Sequence, residues 1–321
     1  MNGPCRKRLR CHVLPALALG LLLALGCMPT AGAAQGERAI LVREAKVYLG
    51  LDVSSQKIGD VGRGREVVIL EKSRQWLHVL ANTDQNRDVD GWMLDKGFVR
   101  SSTPDGDKIL FGEAVDSEWE ASRPRGRKGA DRDAMRLYSR VFEYFPQSPL
   151  AGEALYRSAD IRWQLDEEDV RTRPSYKERN PLLRAKIPED NMREVERKFP
   201  GTKWADLAAY HLIANKLCGD WEGQSKCPEK ESELYQKYAK EHPNSPQAAE
   251  ALYWAAWRQS ALVQIYKTEG NDGRANGAKA KATAMARQII TQYPQTDWAA
   301  RAQRLVYMVE QDIPTFGNAV E

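Results

Sequence analysis

The stretch FPQSPLAGEA, residues 145–154, is the first of four related copies in this chain. The others are FPGTKWADLA (199–208), HPNSPQAAEA (242–251) and YPQTDWAARA (293–302), and the successive prolines lie 54, 43 and 51 residues apart. Self-similarity at a period of this size is typical of stacked helical hairpins. Arrays of this kind present extended binding surfaces, so the pattern predicts a binding protein before it predicts an enzyme.

Each position of the copy has a local physical role. The proline ends one helix, because its ring and its missing N–H prevent continuation. The Ser or Thr two residues later is a good N-cap for the next helix. In two copies Pro149 or Pro246 follows that cap, at the first helical position, which tolerates proline best. Two alanines spaced three apart then lie on one helical face, where a neighbouring helix can approach closely.

The pattern Phe/Tyr-Pro-x-Ser/Thr-x-x-Ala-x-x-Ala resembles the tetratricopeptide repeats of periplasmic proteins. The resemblance is to the lipoprotein of the outer-membrane barrel-assembly machine and to the periplasmic cell-division coordinator proteins. It covers residues 108–315 and implies an all-α, helical-hairpin (TPR-like) solenoid that binds protein partners. The spacing exceeds the standard period of about 34 residues. We therefore expect loops or extra helices at residues 166–181, 218–227 and 270–277.

Residues 37–101 form a second module, rich in β-branched residues and in glycines at turn positions. Five short strands are predicted there: Ala45–Leu49, Ile58–Val61, Arg65–Lys72, Trp76–Ala81 and Gly91–Met93. The order of these segments, with Gln75-Trp76 and Asp90-Gly91-Trp92, resembles the bacterial SH3 domain. The resemblance implies a small all-β barrel that binds cell-wall peptides or protein segments. The expected chain is therefore multidomain, with an SH3-like barrel, a linker at 102–107 and the helical solenoid.

Aromatic side chains are the candidate partner-binding residues of both modules. The strand module has four of them: Tyr48, Trp76, Trp92 and Phe98. They either line a ligand groove or fill the core, since a domain this small needs large aromatics to build any core. The helical module has four more: Tyr156, Tyr210, Tyr253 and Trp254. They either anchor a partner segment or pack between helices.

Residues 1–34 are expected to be a secretory signal. Four basic residues precede an apolar run from Val13 to Gly26, which is too short to cross a bilayer. Two processing sites stay open. Ala31-Gly-Ala33 fits ordinary cleavage, whereas Ala24-Leu-Gly-Cys27 resembles a lipoprotein signal in which Cys27 carries the lipid. The expected location is the periplasm or the outer membrane, with membrane contact only through that lipid.

The charge balance argues against nucleic acid as a partner. The chain has 48 Lys and Arg against 44 Asp and Glu, and the leader holds four of the basic residues and no acid. The remainder is formally neutral, whereas nucleic-acid binding needs a clear basic excess on one face.

Cys218 and Cys227 are the only cysteines after the leader. In an oxidising compartment we expect them to form a disulfide. A metal site would need more Cys or His nearby.

Motifs for catalysis and for cofactors are absent from the sequence: there is no phosphate loop, nucleophile elbow or His-Glu helix motif. Asp84–Gly91 alternates carboxylates before a glycine, as calcium loops do. In the register that makes Gly91 the sixth position, the first ligand is Asn86 and the twelfth position is Gly97, where such loops place glutamate. A solvated hairpin tip is the alternative. We therefore expect no enzyme, cofactor or metal, but a scaffold for envelope proteins. The alternative function is an adaptor that binds peptidoglycan through the strand module and recruits wall enzymes through the repeats.

Overall fold

The computed structural model describes residues 36–178 and 180–316. The leader, with Cys27 and both processing sites, lies outside the described residues. The strands of this part are β1 Glu37–Leu41, β2 Ala45–Tyr48, β3 Lys57–Val61, β4 Glu66–Ser73, β5 Trp76–Asn82, β6 Asp88–Leu94 and β7 Phe98–Val99. They form one antiparallel sheet in the order β3-β2-β6-β5-β4-β1-β7. The sheet is open, so the closed barrel remains a prediction.

The five predicted strands are confirmed, with small shifts at their ends, whereas β1 and β7 were missed. β1 pairs with β4 and with β7. Along β5 the side chains alternate, so that Leu77 and Val79 enter the core of the sheet while Trp76 and His78 face the other side. The sheet is thus two-sided, as period-two alternation predicts.

Nine α-helices follow the sheet within the described ranges. They are α1 Gly106–Ser122, α2 Ala130–Tyr144, α3 Ala151–Arg171, α4 Asp190–Lys198, α5 Lys203–His211, α6 Lys226–Glu241, α7 Ala248–Thr268, α8 Asp272–Gln292 and α9 Asp297–Glu310. Short 3₁₀ turns lie at Pro174–Lys177 and Ala214–Lys216. Helices joined by each sequence copy pack against each other in pairs. The strand-then-helix layout is therefore confirmed.

The residue before each repeat proline has the same conformation in all four copies. Phe145, Phe199, His242 and Tyr293 end α2, α4, α6 and α8 with φ between −126° and −131° and ψ between 47° and 58°. Each backbone N–H still donates to the carbonyl four residues earlier. The repeat alanines are buried in every copy. The interpretation of the copies as helix punctuation is confirmed.

The start of the next helix differs between the copies, and Thr296 makes no side-chain cap bond at the start of α9. Thr202 caps α5 as predicted, its side chain accepting from the N–H of Ala205. In the copies with a second proline, the helix begins at Ala151 or Ala248 instead, so Pro149 and Pro246 are not at the first helical position. Residues 148–150 and 245–247 form a turn in which the serine hydroxyl accepts from the N–H two residues later.

Two of the expected insertions are shorter than predicted. The acidic run from Asp166 to Asp169, at the start of the insertion expected at residues 166–181, belongs to the last turns of α3. Arginines spaced four residues away pair with it and favour the helix, as Arg162 does with Asp166 at 2.9 Å. Residues 272–277 likewise belong to α8. The segment from Cys218 to Ser225 is a loop, as expected.

The sheet packs directly on the first helical hairpin. Ile40 of β1 and Val99 of β7 share a buried cluster with Leu110 and Leu137 of α1 and α2. Gly64, at φ 70°, lies against Arg136, and a Cβ atom there would come within 2.9 Å of the arginine Cβ. The predicted linker is therefore a short turn before α1, and the contact between modules is close-packed.

Candidate functional site

Four aromatic rings form a cluster on the side of the sheet opposite its core. Trp76 lies edge-on to Tyr48, with ring centroids 5.9 Å apart, and Trp92 stacks on His78 at 4.7 Å. Trp76 is 6% exposed, whereas the other three rings are half-buried. We call these residues the sheet aromatic face. The arrangement places Trp76 and Trp92 outside the core cluster of the sheet, which Leu77 and Met93 occupy instead.

Carboxylates and exposed apolar side chains surround the sheet aromatic face. Asp90 bonds the His78 Nε2 at 2.6 Å. A shallow groove of about 430 Å³ runs from Leu80 and Asp90 to Glu66 and Asp88. Flat rings can stack on an apolar ligand group, and carboxylates beside them can accept from a cation or an amide. Such a surface fits a peptide that carries a free amino group.

Apolar side chains also project from the loop that follows Tyr48. Leu49, Leu51 and Val53 are between 48% and 62% exposed. Phe98, the remaining candidate of this module, packs against the core side of the sheet. It does not join the sheet aromatic face.

The three repeat tyrosines lie between successive copies. Each contacts an aromatic ring of the next part of the array: Tyr156 with Trp204, Tyr210 with Tyr238, and Tyr253 with Trp298. Burial raises the pKa of all three phenols, so they stay protonated and neutral. In this structure these residues hold neighbouring copies together. They do not form one exposed row.

Trp254 is half-buried beside an ion pair that sequence reasoning missed. Arg258 Nε bonds Glu231 Oε2 at 2.8 Å, and the Glu231 side chain is only 2% exposed. The guanidinium lies 4.6 Å from the ring of Tyr235 and within 6 Å of three tryptophans: Trp221, Trp254 and Trp257. The spacing of Glu231, Tyr235 and Tyr238 places them on one face of α6, but it does not indicate Arg258 as a partner.

The groove between α6 and α8 is a surface that the sequence did not indicate. Cavities of about 700 and 470 Å³ adjoin each other there, and Glu233 and Gln236 line both. We call this surface the α6–α8 groove. Its walls carry long polar side chains, among them Gln236, Lys237, Lys240, Lys281, Gln288 and Gln292.

The two ends of the α6–α8 groove differ in character. At one end Arg274 pairs with Glu229 at 2.6 Å. At the other end the Tyr293 hydroxyl donates to the carbonyl of Pro243 at 3.1 Å. Glutamine amides both donate and accept, so this surface can satisfy the backbone of an extended segment.

A histidine, an aspartate and a tyrosine meet between α3 and α5. His211 Nε2 lies 3.2 Å from Asp160 Oδ1 and 3.3 Å from the Tyr156 hydroxyl. Burial lowers the pKa of His211 and raises the pKa of Asp160. Both shifts have the same cause: burial disfavours the charged form of each group.

The predicted disulfide is confirmed. The Sγ atoms of Cys218 and Cys227 are 2.09 Å apart, and the bond joins the loop before α6 to its first turn. Asp84, in the calcium-like stretch, pairs with Arg65 at 2.7 Å. In residues 36–178 and 180–316, no three His, Cys, Asp or Glu side chains group as metal ligands.

No protein-family model and no curated protein matches this chain. In the part of the chain that the structure describes, no helix is long and apolar enough to cross a membrane. The surfaces above are therefore the basis on which a function can be assigned.

Proposed function

We propose that this chain is a non-catalytic scaffold of the cell envelope, which holds an extended segment of a partner protein in the α6–α8 groove. The observation that supports this proposal is the polar surface between α6 and α8. Helix α6 has 16 residues and is about 24 Å long. An extended peptide of about seven residues covers that length.

The chemistry of the groove favours a polar segment. Lysines, glutamates and glutamines line its walls, beside apolar side chains that include Leu252, Ala278 and Met285. Backbone hydrogen bonds to the amides would give affinity, while the charges would select among segments. Positively and negatively charged side chains both line the groove. A segment that carries charges of both signs therefore fits it best.

The proposed location of the protein is the cell envelope. The disulfide supports export, because such bonds persist in oxidising compartments. The fold we propose is the small SH3-like barrel followed by the TPR-like solenoid, and the four equivalent helix ends support the second part. The resemblance to the barrel-assembly lipoprotein places outer-membrane protein assembly first among the processes to test.

Site-specific photocrosslinking tests this function. A crosslinking residue replaces Gln236 or Gln288, which face the groove, and Thr268, which is exposed on α7, serves as the control. We expect partner adducts from the groove positions and none from the control. Adducts with outer-membrane assembly components would support the proposed setting. Equal adducts from all three positions, or none, would contradict the groove as the binding site.

A second function, peptidoglycan targeting, is favoured by the sheet aromatic face. Stacked, partly exposed rings beside Asp90 fit a wall peptide, and the repeats would then recruit a wall enzyme. Deletion of residues 37–101 is a poor test, because Ile40 and Val99 pack on the helices. The better test is a point variant in a co-sedimentation assay. Trp92→Ala should reduce the amount of protein that sediments with purified wall sacculi, whereas Tyr307→Ala, at an exposed position of α9, should not. Equal binding by the two variants would show that the sheet aromatic face does not bind peptidoglycan.

A further inference from the structure

A cavity of about 730 Å³ lies beside the disulfide, between the first turn of α6 and the loop at residues 180–182. Cys218 and Cys227 both line it. Cys218 is half-buried, whereas Cys227 is only 8% exposed. Leu182, which also lines the cavity, is 83% exposed, so the cavity is open to solvent on that side. A thiol in solution can therefore approach the disulfide here, and it meets Cys218 first.

The two sulfur atoms have different electrostatic surroundings. Cys227 is the second residue of α6, and a helix N-terminus carries a partial positive charge. Lys230, three residues further on, lies on the same helix face and lines the same cavity. Two carboxylates, Glu178 and Glu222, line the cavity as well, but the helix end acts on Cys227 alone. A thiolate is therefore better stabilised at Cys227 than at Cys218, which lies in the preceding loop.

Hydrogen bonds hold the loop of Cys218 independently of the disulfide. The Cys218 backbone N–H donates to Glu231 Oε1 at 2.9 Å, and Trp221 Nε1 donates to the same oxygen at 3.2 Å. The Arg184 guanidinium donates to the Cys218 carbonyl at 3.0 Å. These bonds do not require the S–S bond, so we expect the chain to stay folded, though less stable, when the disulfide is open.

We propose that this cavity is a thiol–disulfide exchange site, at which a dithiol from outside the chain reduces the bond between Cys218 and Cys227 while the protein stays folded. The substrate class is a molecule or a protein segment that carries two thiols. The proposal is independent of the scaffold function, since it uses neither the α6–α8 groove nor the sheet aromatic face.

Exchange proceeds in two steps. In the first, a thiolate of the dithiol attacks Cys218 Sγ, the Sγ–Sγ bond breaks, and its electron pair leaves on Cys227 Sγ. Attack at Cys218 is favoured because the more stable thiolate is the better leaving group. In the second step the other thiol of the dithiol attacks the mixed disulfide and releases Cys218. The dithiol leaves as a disulfide, and this chain has gained two electrons and two protons.

A monothiol shows which sulfur is attacked, because its reaction stops at the mixed disulfide. Mercaptoethanol is added to the oxidised chain, and the early products are trapped with N-ethylmaleimide. Trypsin cleaves after Lys226, so the two cysteines fall in separate peptides for mass spectrometry. We expect at least about fivefold more mercaptoethanol on Cys218 than on Cys227. Equal labelling of the two, or a preference for Cys227, would overturn the proposal.

A charge reversal tests the stabilisation of the leaving thiolate. Lys230→Glu places a carboxylate on the helix face of Cys227 and should slow reduction by dithiothreitol at least about threefold at low ionic strength. Lys108→Glu, at an exposed position of α1, is the matched control and should leave the rate unchanged. Equal rates in the two variants would contradict Cys227 as the leaving group.

Urea distinguishes exchange in the folded chain from reduction after unfolding. The rate should rise in proportion to the dithiothreitol concentration and stay constant in urea below the unfolding transition, because no unfolding precedes the attack. The reduced and alkylated chain should keep its helical circular dichroism signal. A rate that rises steeply with urea, or loss of the helical signal on reduction, would overturn the proposal, because the bond would then open only in the unfolded chain.

Discussion

Replacing Glu231 by methionine should leave Arg258 as an uncompensated charge inside the helical array. The two carboxylate oxygens of Glu231 accept three hydrogen bonds. The donors are Arg258 Nε at 2.8 Å, the Cys218 backbone N–H at 2.9 Å and Trp221 Nε1 at 3.2 Å. Methionine keeps the length of the side chain but can accept none of them well.

The expected cost is a large part of the stability of the chain. Removing one partner of a buried ion pair costs about 3–5 kcal/mol, because the remaining charge keeps its desolvation penalty. Total unfolding free energies are typically about 5–15 kcal/mol. At roughly 2 °C or more per kcal/mol for a chain of this size, the melting temperature should fall by at least about 6 °C.

A double-mutant cycle measures the interaction itself. Glu231→Met, Arg258→Met and the double variant are compared by urea denaturation with the disulfide intact. The double variant should be less destabilised than the two single effects added together, by about 2 kcal/mol or more. It should not recover fully, since each donor left without its acceptor costs about 1–3 kcal/mol.

An exposed pair with the same chemistry and distance provides the control. Arg287 and Glu310 are also 2.8 Å apart, but their side chains are 66% and 46% exposed. The same cycle there should give a coupling of about 0–1 kcal/mol. Additive effects at Glu231 and Arg258, or a loss below about 1 kcal/mol for Glu231→Met, would refute the reasoning that burial makes this pair important.

Three further predictions concern the disulfide, a buried histidine and a glycine. Reduction should lower the free energy of unfolding by about 2–3 kcal/mol, through the loop-entropy term for cysteines nine residues apart; identical melts with and without reductant would contradict it. Burial lowers the pKa of His211 below its ordinary 6.5, so the unfolded chain binds that proton more tightly. Stability should therefore fall as the pH drops through 6.5 toward the folded pKa, and His211→Gln should reduce this loss in melts at pH 7.5 and 5.5 (values near the ordinary pKa). The raised pKa of Asp160 has the opposite effect on stability, because burial penalises its charged form. Its contribution to stability falls as the pH rises above the ordinary pKa of 3.8. Gly64→Ala should destabilise the chain by about 2 kcal/mol or more, because a positive φ and a clash with Arg136 combine, whereas Gly97→Ala, at φ 76° in open space, should cost about 1 kcal/mol; equal melting temperatures would refute the clash.

Features that depend on a few adjacent residues were predictable. The ends of α2, α4, α6 and α8 follow from proline, whose effect on the preceding residue is steric and local. The five strands followed from β-branched residues and glycine turns. β1 and β7 were missed because they are short, and their hydrogen bonds come from each other and from β4, far along the chain.

The candidate sites were predictable only in part. Adjacent residues of a strand, such as Trp76 and Leu77, point to opposite sides of the sheet, but the sequence does not say which side is covered. The sequence therefore left open whether Trp76 and Trp92 fill the core, and the fold places Leu77 and Met93 there. The α6–α8 groove was not predictable, because its two walls lie about 50 residues apart in the chain.

The sequence by itself determined where the helices end, that strands precede them, and that the two cysteines can join. Those properties arise from backbone sterics and from contacts within about ten residues. Only the tertiary structure decided that Glu231 and Arg258 are buried together, and that one side of α1 stays open. Burial depends on what distant segments place around a side chain, and no local pattern of residues contains that information.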